Sequence, residues 1–317
     1  MNQNEFNELI RYIESIKDSD SNEIAIDALI ISDGTREFKH VFTVRGQELH
    51  ELRSLSKLVV SFCIGIVIDS GKYFVDDHQL SLDTRIWSTF RENVNLVNIA
   101  NTNYLENITI KNLLTQTTGY SNDELLLSAS LNNRNLNHLL DIVFNEPISN
   151  EPGKRFIYSN ASAFILSAFF QELTGENLYE FAQRVLFLPL NIVNHSWKNY
   201  GKYCAGATGL YLLCEDVHKL GKLMLYKGVW CNKQIISRKY IDEMIANHIE
   251  INDKKWRDHV LSPTGYGFFV WINNNGYYLS GAKGQYIIIN PYKKMIISIL
   301  SSKENAILLL ARLKNVL

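Results

Sequence analysis

A serine and a lysine stand three residues apart in Ser54-Leu55-Ser56-Lys57, at the mouth of an almost wholly apolar run over 58–68. The run stops at Asp69-Ser70-Gly71-Lys72. Residues three apart share one helix face, so the Ser54 hydroxyl and the Lys57 amine point the same way. A helix that is apolar all round is a buried one, and at roughly eleven residues this run is too short to span a bilayer. Desolvation lowers a lysine pKa, and a neutral amine within reach of a serine can take its proton. The spacing therefore predicts a nucleophile, Ser54, served by a general base, Lys57. Two plainer roles compete. Serine is a favoured helix N-cap, and a lysine at a helix end can snorkel to water. The second is disfavoured because Lys57 precedes an apolar stretch and not a polar stripe.

The elements that must hold this pair follow from the rest of the chain. Its 317 residues are 46% hydrophobic and 21% charged, with a formal net charge of -1. That is the composition of a globular protein with a large core. The near-neutral balance gives no electrostatic reason to expect nucleic acid or an anionic membrane as partner. Residues 1–22 are polar and predict an amphipathic helix with Phe6, Leu9, Ile10, Tyr12, Ile13 and Ile16 on one side. They lack the basic start, apolar centre and cleavage site of a signal peptide. The four cysteines (Cys63, Cys204, Cys214, Cys231) show no CxxC spacing, which fits a reduced compartment and predicts a cytoplasmic protein.

Strand signals at 24–31 and 38–44 flank Ser32-Asp33-Gly34 and predict a hairpin. Thr109 is placed to cap a short helix ending near Thr118-Gly119. The span 123–195 is mostly helical in pattern, with its clearest helix over 161–173 between Asn160 and Thr174-Gly175. Further helices are predicted over 214–226 and 237–246. Then the period switches to two, predicting strands over 266–272, 277–279, 285–289 and 295–301. A closing helix over 304–317 would turn Ile307, Leu308, Leu310, Leu313 and Leu317 toward the sheet. Strands at both ends with helices between them predict an α+β fold of sandwich type. Its antiparallel sheet is closed by the two termini and carries an inserted all-helical lobe. We expect one domain, 1–317, with the sheet part over about 1–53 and 205–317 and the helical lobe over about 54–204.

About a hundred residues after Ser54, the turn Glu151-Pro152-Gly153-Lys154-Arg155-Phe156-Ile157 delivers Tyr158-Ser159-Asn160 to the head of a helix. An S-x-x-K motif followed by such a Tyr-x-Asn element resembles class C β-lactamases and their serine-hydrolase relatives, within the wider β-lactamase and penicillin-binding-protein family. The likeness continues through 108–119, 173–192, Ala205-Gly206-Ala207-Thr208-Gly209, Gly228-Val229-Trp230 and Gly265-Tyr266-Gly267-Phe268, and so covers about 24–301. The resemblance implies a β-lactamase/transpeptidase-like fold and acyl-enzyme chemistry. The third family motif departs from its pattern. Leu279-Ser280-Gly281 stands where the family has Lys-Thr-Gly, with Lys283 two residues beyond the glycine. A step of two along a strand keeps the face but displaces a group by about 6–7 Å. A Gly-x-x-Gly-Gln ending of this kind is similar to that of amide- and ester-cleaving members.

The resemblance implies that Tyr158 relays a proton to the leaving group. It also implies that Asn160 binds the substrate carbonyl or Lys57, although capping the helix at 161 is an equally good use of an asparagine. The oxyanion would rest on the N–H groups of Ser54 and Ala282, with Gly281 allowing close approach. Ser280 would donate to a substrate carboxylate or serve as a plain strand residue, and Lys283 would restore positive charge. No G-x-S-x-G elbow, zinc-helix spacing or phosphate-cradling loop occurs, so we expect no metal and no cofactor. The sequence thus predicts a serine hydrolase (an esterase or peptidase) acting on a small-molecule or peptide amide or ester. A true β-lactamase or D,D-peptidase is the alternative within the family, and a catalytically silent binding protein the alternative outside it.

Overall fold

The computed structural model describes residues 1–17, 25–126 and 135–313. The expected features at 18–22, Ile24, 127–134 and Leu317 lie outside them. An antiparallel eight-stranded sheet organises the chain. Its order is Ile249–Glu250, Gly265–Tyr266, Trp271–Asn273, Gly276–Gly281, Gln285–Asn290, Met295–Ser301, Ile26–Ser32 and Glu37–Val41. Ile26–Ser32 pairs on one side with the last strand (Ala28 opposite Leu300) and on the other with its hairpin partner (Ala28 opposite Val41). The two ends of the chain therefore close the sheet, as the strand signals at both ends predicted. Ile26–Ser32, Gln285–Asn290 and Met295–Ser301 are buried at every position, which requires cover on both faces. Part of that cover is the helix Cys214–Leu225, whose Gly221 approaches so closely that a Cβ would sit 3.0 Å from Ile296 and 3.1 Å from Ile287.

The apolar run becomes the helix Ser56–Ser70, buried over most of its surface and ended by Gly71 at φ 63°. It packs against a second buried helix, Ala161–Thr174, which stops at Gly175 in the left-handed conformation. Thr109 caps Ile110–Leu114 in a capping box with Asn112.

Three expectations need correction. The stretch 266–272 is not one strand: Gly265–Tyr266 and Trp271–Asn273 pair with each other, Gly265 opposite Ile272. Phe269 turns the chain at φ 58° and donates its N–H to the Leu114 carbonyl at 2.9 Å. Packing of this apolar turn against the helical part overrides the strand pattern. The closing helix is Ile307–Leu313, preceded by a 3₁₀ turn over Glu304–Ala306. It buries Leu309, Leu310 and Leu313 while Ile307 and Leu308 are exposed. That turn rotates the apolar face relative to the one expected. In the first helix, Gln3–Ser15, Tyr12 likewise faces outward while Phe6, Leu9, Ile10 and Ile13 are buried.

The middle of the chain is also less helical than its pattern suggests. An irregular path over 146–160 follows the helix Leu139–Asn145. It is tied down by Gly153 N–H to the Thr117 carbonyl (2.7 Å) and Ile157 N–H to the Gln116 carbonyl (2.9 Å). This path delivers Tyr158. No helix among the described residues is long and apolar enough to cross a membrane.

Candidate active site

The nucleophile candidate sits at a join between two kinds of helix. Arg53–Leu55 form a 3₁₀ turn that runs into the α-helix at Ser56. In 3₁₀ geometry residues three apart eclipse one another, which suits an S-x-x-K pair better than an α-turn does. Ser54 is half-buried and makes no cap, so the N-cap role is not the one it fills. Lys57 is 1% exposed, and its Nζ donates to Ser54 Oγ at 3.0 Å. Snorkelling is excluded by that burial.

Two further sequence-selected residues arrive at the same amine. Lys57 Nζ donates to Tyr158 OH at 3.2 Å and to Asn160 Oδ1 at 2.8 Å, with the Ala207 carbonyl at 3.5 Å. Asn160 opens the helix Ala161–Thr174 but makes no side-chain cap; its Nδ2 donates to the Leu126 carbonyl at 3.0 Å. Of its two uses, the one toward Lys57 is realised. Burial pushes the Lys57 pKa down, partly offset by Tyr158. An ammonium has three protons for these four acceptors. A neutral amine keeps two and frees its lone pair for the Ser54 hydroxyl proton, which is the arrangement a general base requires.

The third-motif residues are placed differently. Gly276–Gly281 ends at the glycine, and Ala282, Lys283 and Gly284 form the turn into Gln285–Asn290. A Cβ on Gly281 would run into the Leu52 carbonyl oxygen and lie 3.3 Å from Arg53 Cβ, so this strand end presses on the turn that carries Ser54. The N–H of Ser54 opens a helical turn, where amides lack intrahelical acceptors. Leu279 is 2% exposed and pairs with Ile287 inside the sheet. Lys283 does not continue the strand face, contrary to the step-of-two expectation. It sits exposed in the turn at φ 65° with its N–H bonded to Glu304 Oε1 at 2.8 Å. Ser280 is half-buried, and among the described residues no hydrogen bond joins its hydroxyl or the Lys283 amine to Ser54, Lys57 or Tyr158.

Two supports escaped the sequence reading. Gln116, at φ 59° and fully buried, accepts from Ser159 N–H (3.2 Å) and donates to the Ser159 carbonyl (3.0 Å). It braces the turn between Tyr158 and Asn160, and only its nearness to the motif hinted at this. An aromatic wall backs Tyr158: its ring lies 5.4 Å from Trp256 and stacks on Trp271 at 5.8 Å, with Tyr278 stacked 6.2 Å beyond. Lys255, beside Trp256, pairs with Asp123 at 3.0 Å and so ties the segment carrying Trp256 to the one around Asp123. Among the described residues, no three His, Cys, Asp or Glu side chains cluster so as to hold a metal.

Helices thus pack with an antiparallel sheet, and Ser54 and Tyr158 meet at the Lys57 amine, the arrangement a serine acyl-transfer site requires. The chain belongs to the beta-lactamase family, whose model matches residues 22–311. The family comprises serine hydrolases that work through an acyl-enzyme. Protein flp of Staphylococcus aureus (strain N315) is 31% identical over 94 residues, a match that takes in 29% of this chain and 19% of that protein. Among solved structures, a candidate 6-aminohexanoate-dimer hydrolase from Bacillus anthracis superposes with TM-score 0.71 at 20% identity, covering 92% of this chain and 78% of that one. A penicillin-binding protein from Bacillus halodurans gives TM-score 0.71 at 17% identity, over 92% and 97% of the two chains. EstCE1, a hydrolase with promiscuous acyltransferase activity, gives TM-score 0.69 at 14% identity over 98% of each chain. At these identities the structural matches speak for the fold alone.

Proposed function

We propose that the protein is a cytoplasmic serine hydrolase that cleaves an ester or amide, including peptide amides, in a small-molecule or peptide substrate. Neutral Lys57 takes the Ser54 proton as Oγ attacks the carbonyl carbon. The oxyanion rests on the Ser54 and Ala282 N–H groups. Tyr158 passes its proton to the leaving oxygen or nitrogen as the carbon–leaving-group bond breaks and is reprotonated by the Lys57 ammonium, which returns Lys57 to the neutral amine. Water then attacks the acyl-serine, losing its proton to the same base, and restores Ser54 with release of the acid. The observation that carries this reading is the buried Lys57 amine within 3.0 Å of Ser54 Oγ and 3.2 Å of Tyr158 OH.

The substrate class is narrowed by what surrounds that amine. A buried leucine at 279 offers no charge to a substrate carboxylate, and an exposed Lys283 is a poor substitute because solvent screens it. The flank beside Tyr158 is aromatic, which favours an uncharged, apolar leaving group over a carboxylated one. The family match favours a second reading, a β-lactamase or D,D-peptidase. The free cysteines Cys63, Cys204, Cys214 and Cys231 support a reducing location.

A fluorophosphonate probe with intact-mass readout tests the proposal. One adduct that maps to Ser54 and is lost in Ser54→Ala supports it. Absence of an adduct, with ester turnover equal in both proteins, points to a binding protein without turnover. Hydrolysis of a chromogenic cephalosporin at the rate of its best ester would replace the esterase reading with the β-lactamase one.

A further inference from the structure

The residue before the nucleophile is held in a conformation it would not choose. Arg53 has φ 52°, in the left-handed region, where a side chain with a Cβ is strained by crowding against its own backbone. Strain of this kind persists only where the surroundings over-determine it. The surroundings here are specific. Arg53 Nη1 pairs with Glu51 Oε2 at 3.0 Å, with the side chains 28% and 16% exposed. The same carboxylate accepts from Thr208 Oγ1 on Oε1 (3.1 Å) and from Tyr211 OH on Oε2 (3.4 Å). Thr208 follows Ala207, whose carbonyl faces Lys57. Glu51 itself is fixed in a short strand pair opposite Tyr211, and Leu52 N–H continues that pairing to the Leu210 carbonyl at 2.7 Å.

We propose that Glu51 is a positioning residue for the nucleophile: its carboxylate clamps the left-handed Arg53 turn to the Thr208–Tyr211 segment and so fixes Ser54 Oγ against Lys57. One carboxylate thereby ties the segment before the nucleophile to the segment that faces the base. Gly281 presses on the same turn from the other side, so without the clamp the turn can relax only by moving Ser54. Bond-distance alignment of nucleophile and base is what acylation rates depend on, whereas substrate binding does not require it. The inference deepens the hydrolase reading and rests on it.

The test is the acylation rate of Ser54 by a fluorophosphonate, with kcat and KM for a p-nitrophenyl ester, in wild type, E51Q, R53A, R53G and E51Q/R53G. Glutamine keeps a hydroxyl acceptor and loses the ion pair. E51Q should acylate about tenfold more slowly with KM unchanged, in line with loss of one charge-assisted bond. R53A should fall with it, because alanine keeps the left-handed penalty and loses the clamp. R53G should acylate faster than R53A, since glycine takes positive φ at no steric cost. Adding E51Q to R53G should then change nothing. Equal rates for wild type and E51Q overturn the proposal, as does R53A matching or exceeding R53G, or an E51Q effect undiminished in the R53G background. If wild-type Ser54 takes no label, the hydrolase reading fails by itself. The clamp is then judged by unfolding midpoints of the same proteins, where R53A must be less stable than R53G and the reverse order rejects it.

Discussion

The two ends of the candidate site are built on different physics. At the Lys57 end, Ser54 from the adjoining turn and Tyr158 and Asn160 from a hundred residues further on converge on one buried amine. At the Gly281 end, the strand contributes backbone and a close approach, while Leu279 is buried in the sheet and Lys283 is turned out to solvent. The first is an electrostatic device, sensitive to each atom. The second is a steric one, sensitive to volume and indifferent to surface charge. The difference teaches that, on the proposed reading, bond making depends on the buried amine while recognition depends on an uncharged wall.

The sharpest break of this comparison is at the nucleophile. Ser54→Ala should lower ester turnover by at least about a thousandfold and remove covalent labelling by mass spectrometry, because the chemistry has no substitute oxygen. Lys57→Met should cost a similar factor in acylation while raising the unfolding midpoint at neutral pH, since a buried amine is exchanged for an apolar side chain. A midpoint that falls instead would mean that the amine's hydrogen bonds outweigh its desolvation.

The same lysine fixes the pH dependence. Its pKa is lowered in the folded state, so between that value and the ordinary one near 10.4 the unfolded chain binds the extra proton. Stability should therefore rise with pH across this window, by at most about 1.4 kcal/mol per pH unit, and this contribution should be lost on the acid side. Denaturant melts of wild type and Lys57→Met across pH check the sign, because the variant lacks this slope. The kcat/KM of a neutral ester should climb over the acid limb of the same window, as the base becomes neutral.

Smaller effects test the middle of the site and then its far end. Tyr158→Phe should slow turnover about a hundredfold, more for an amide than for a p-nitrophenyl ester whose leaving group needs no proton. Equal loss on both substrates would deny Tyr158 its relay role. Gly281→Ala should cost about tenfold in kcat and lower the melting midpoint, because the added methyl meets the Leu52 carbonyl and pushes the Ser54 turn. Lys283→Ala should change kcat/KM less than about twofold for neutral substrates, as expected of a screened surface charge. A large loss confined to carboxylated substrates would restore Lys283 as an anchor and erase the contrast between the two ends.

Much of this was legible in one dimension. The apolar run after Lys57 announced burial, and the terminal strand signals announced a sheet closed by both ends. Ser54, Lys57, Tyr158 and Asn160 carried their spacing on their face. What was not legible depended on which residues meet. A hundred residues separate Lys57 from Tyr158 and Asn160, so the choice between cap and ligand for Asn160 could only be made by folding. Leu279 and Lys283 alternate correctly on paper, but the strand ends at Gly281 and a left-handed turn carries Lys283 away. Gln116 and Glu51 carry no motif of their own, and their hydrogen bonds go to backbone and hydroxyl groups that any sequence would offer.

The amino-acid order by itself determined the composition of the core, the α+β architecture and the pairing of Ser54 with Lys57 as candidate nucleophile and base, because burial and helix spacing are local properties. The tertiary structure alone decided that the lysine is shared among Ser54, Tyr158 and Asn160, that the third motif is a steric contact without a cation, and that Arg53 is held in a left-handed turn. Those are long-range properties. They arise when segments far apart in the chain compete for the same buried space and the same few hydrogen-bond partners.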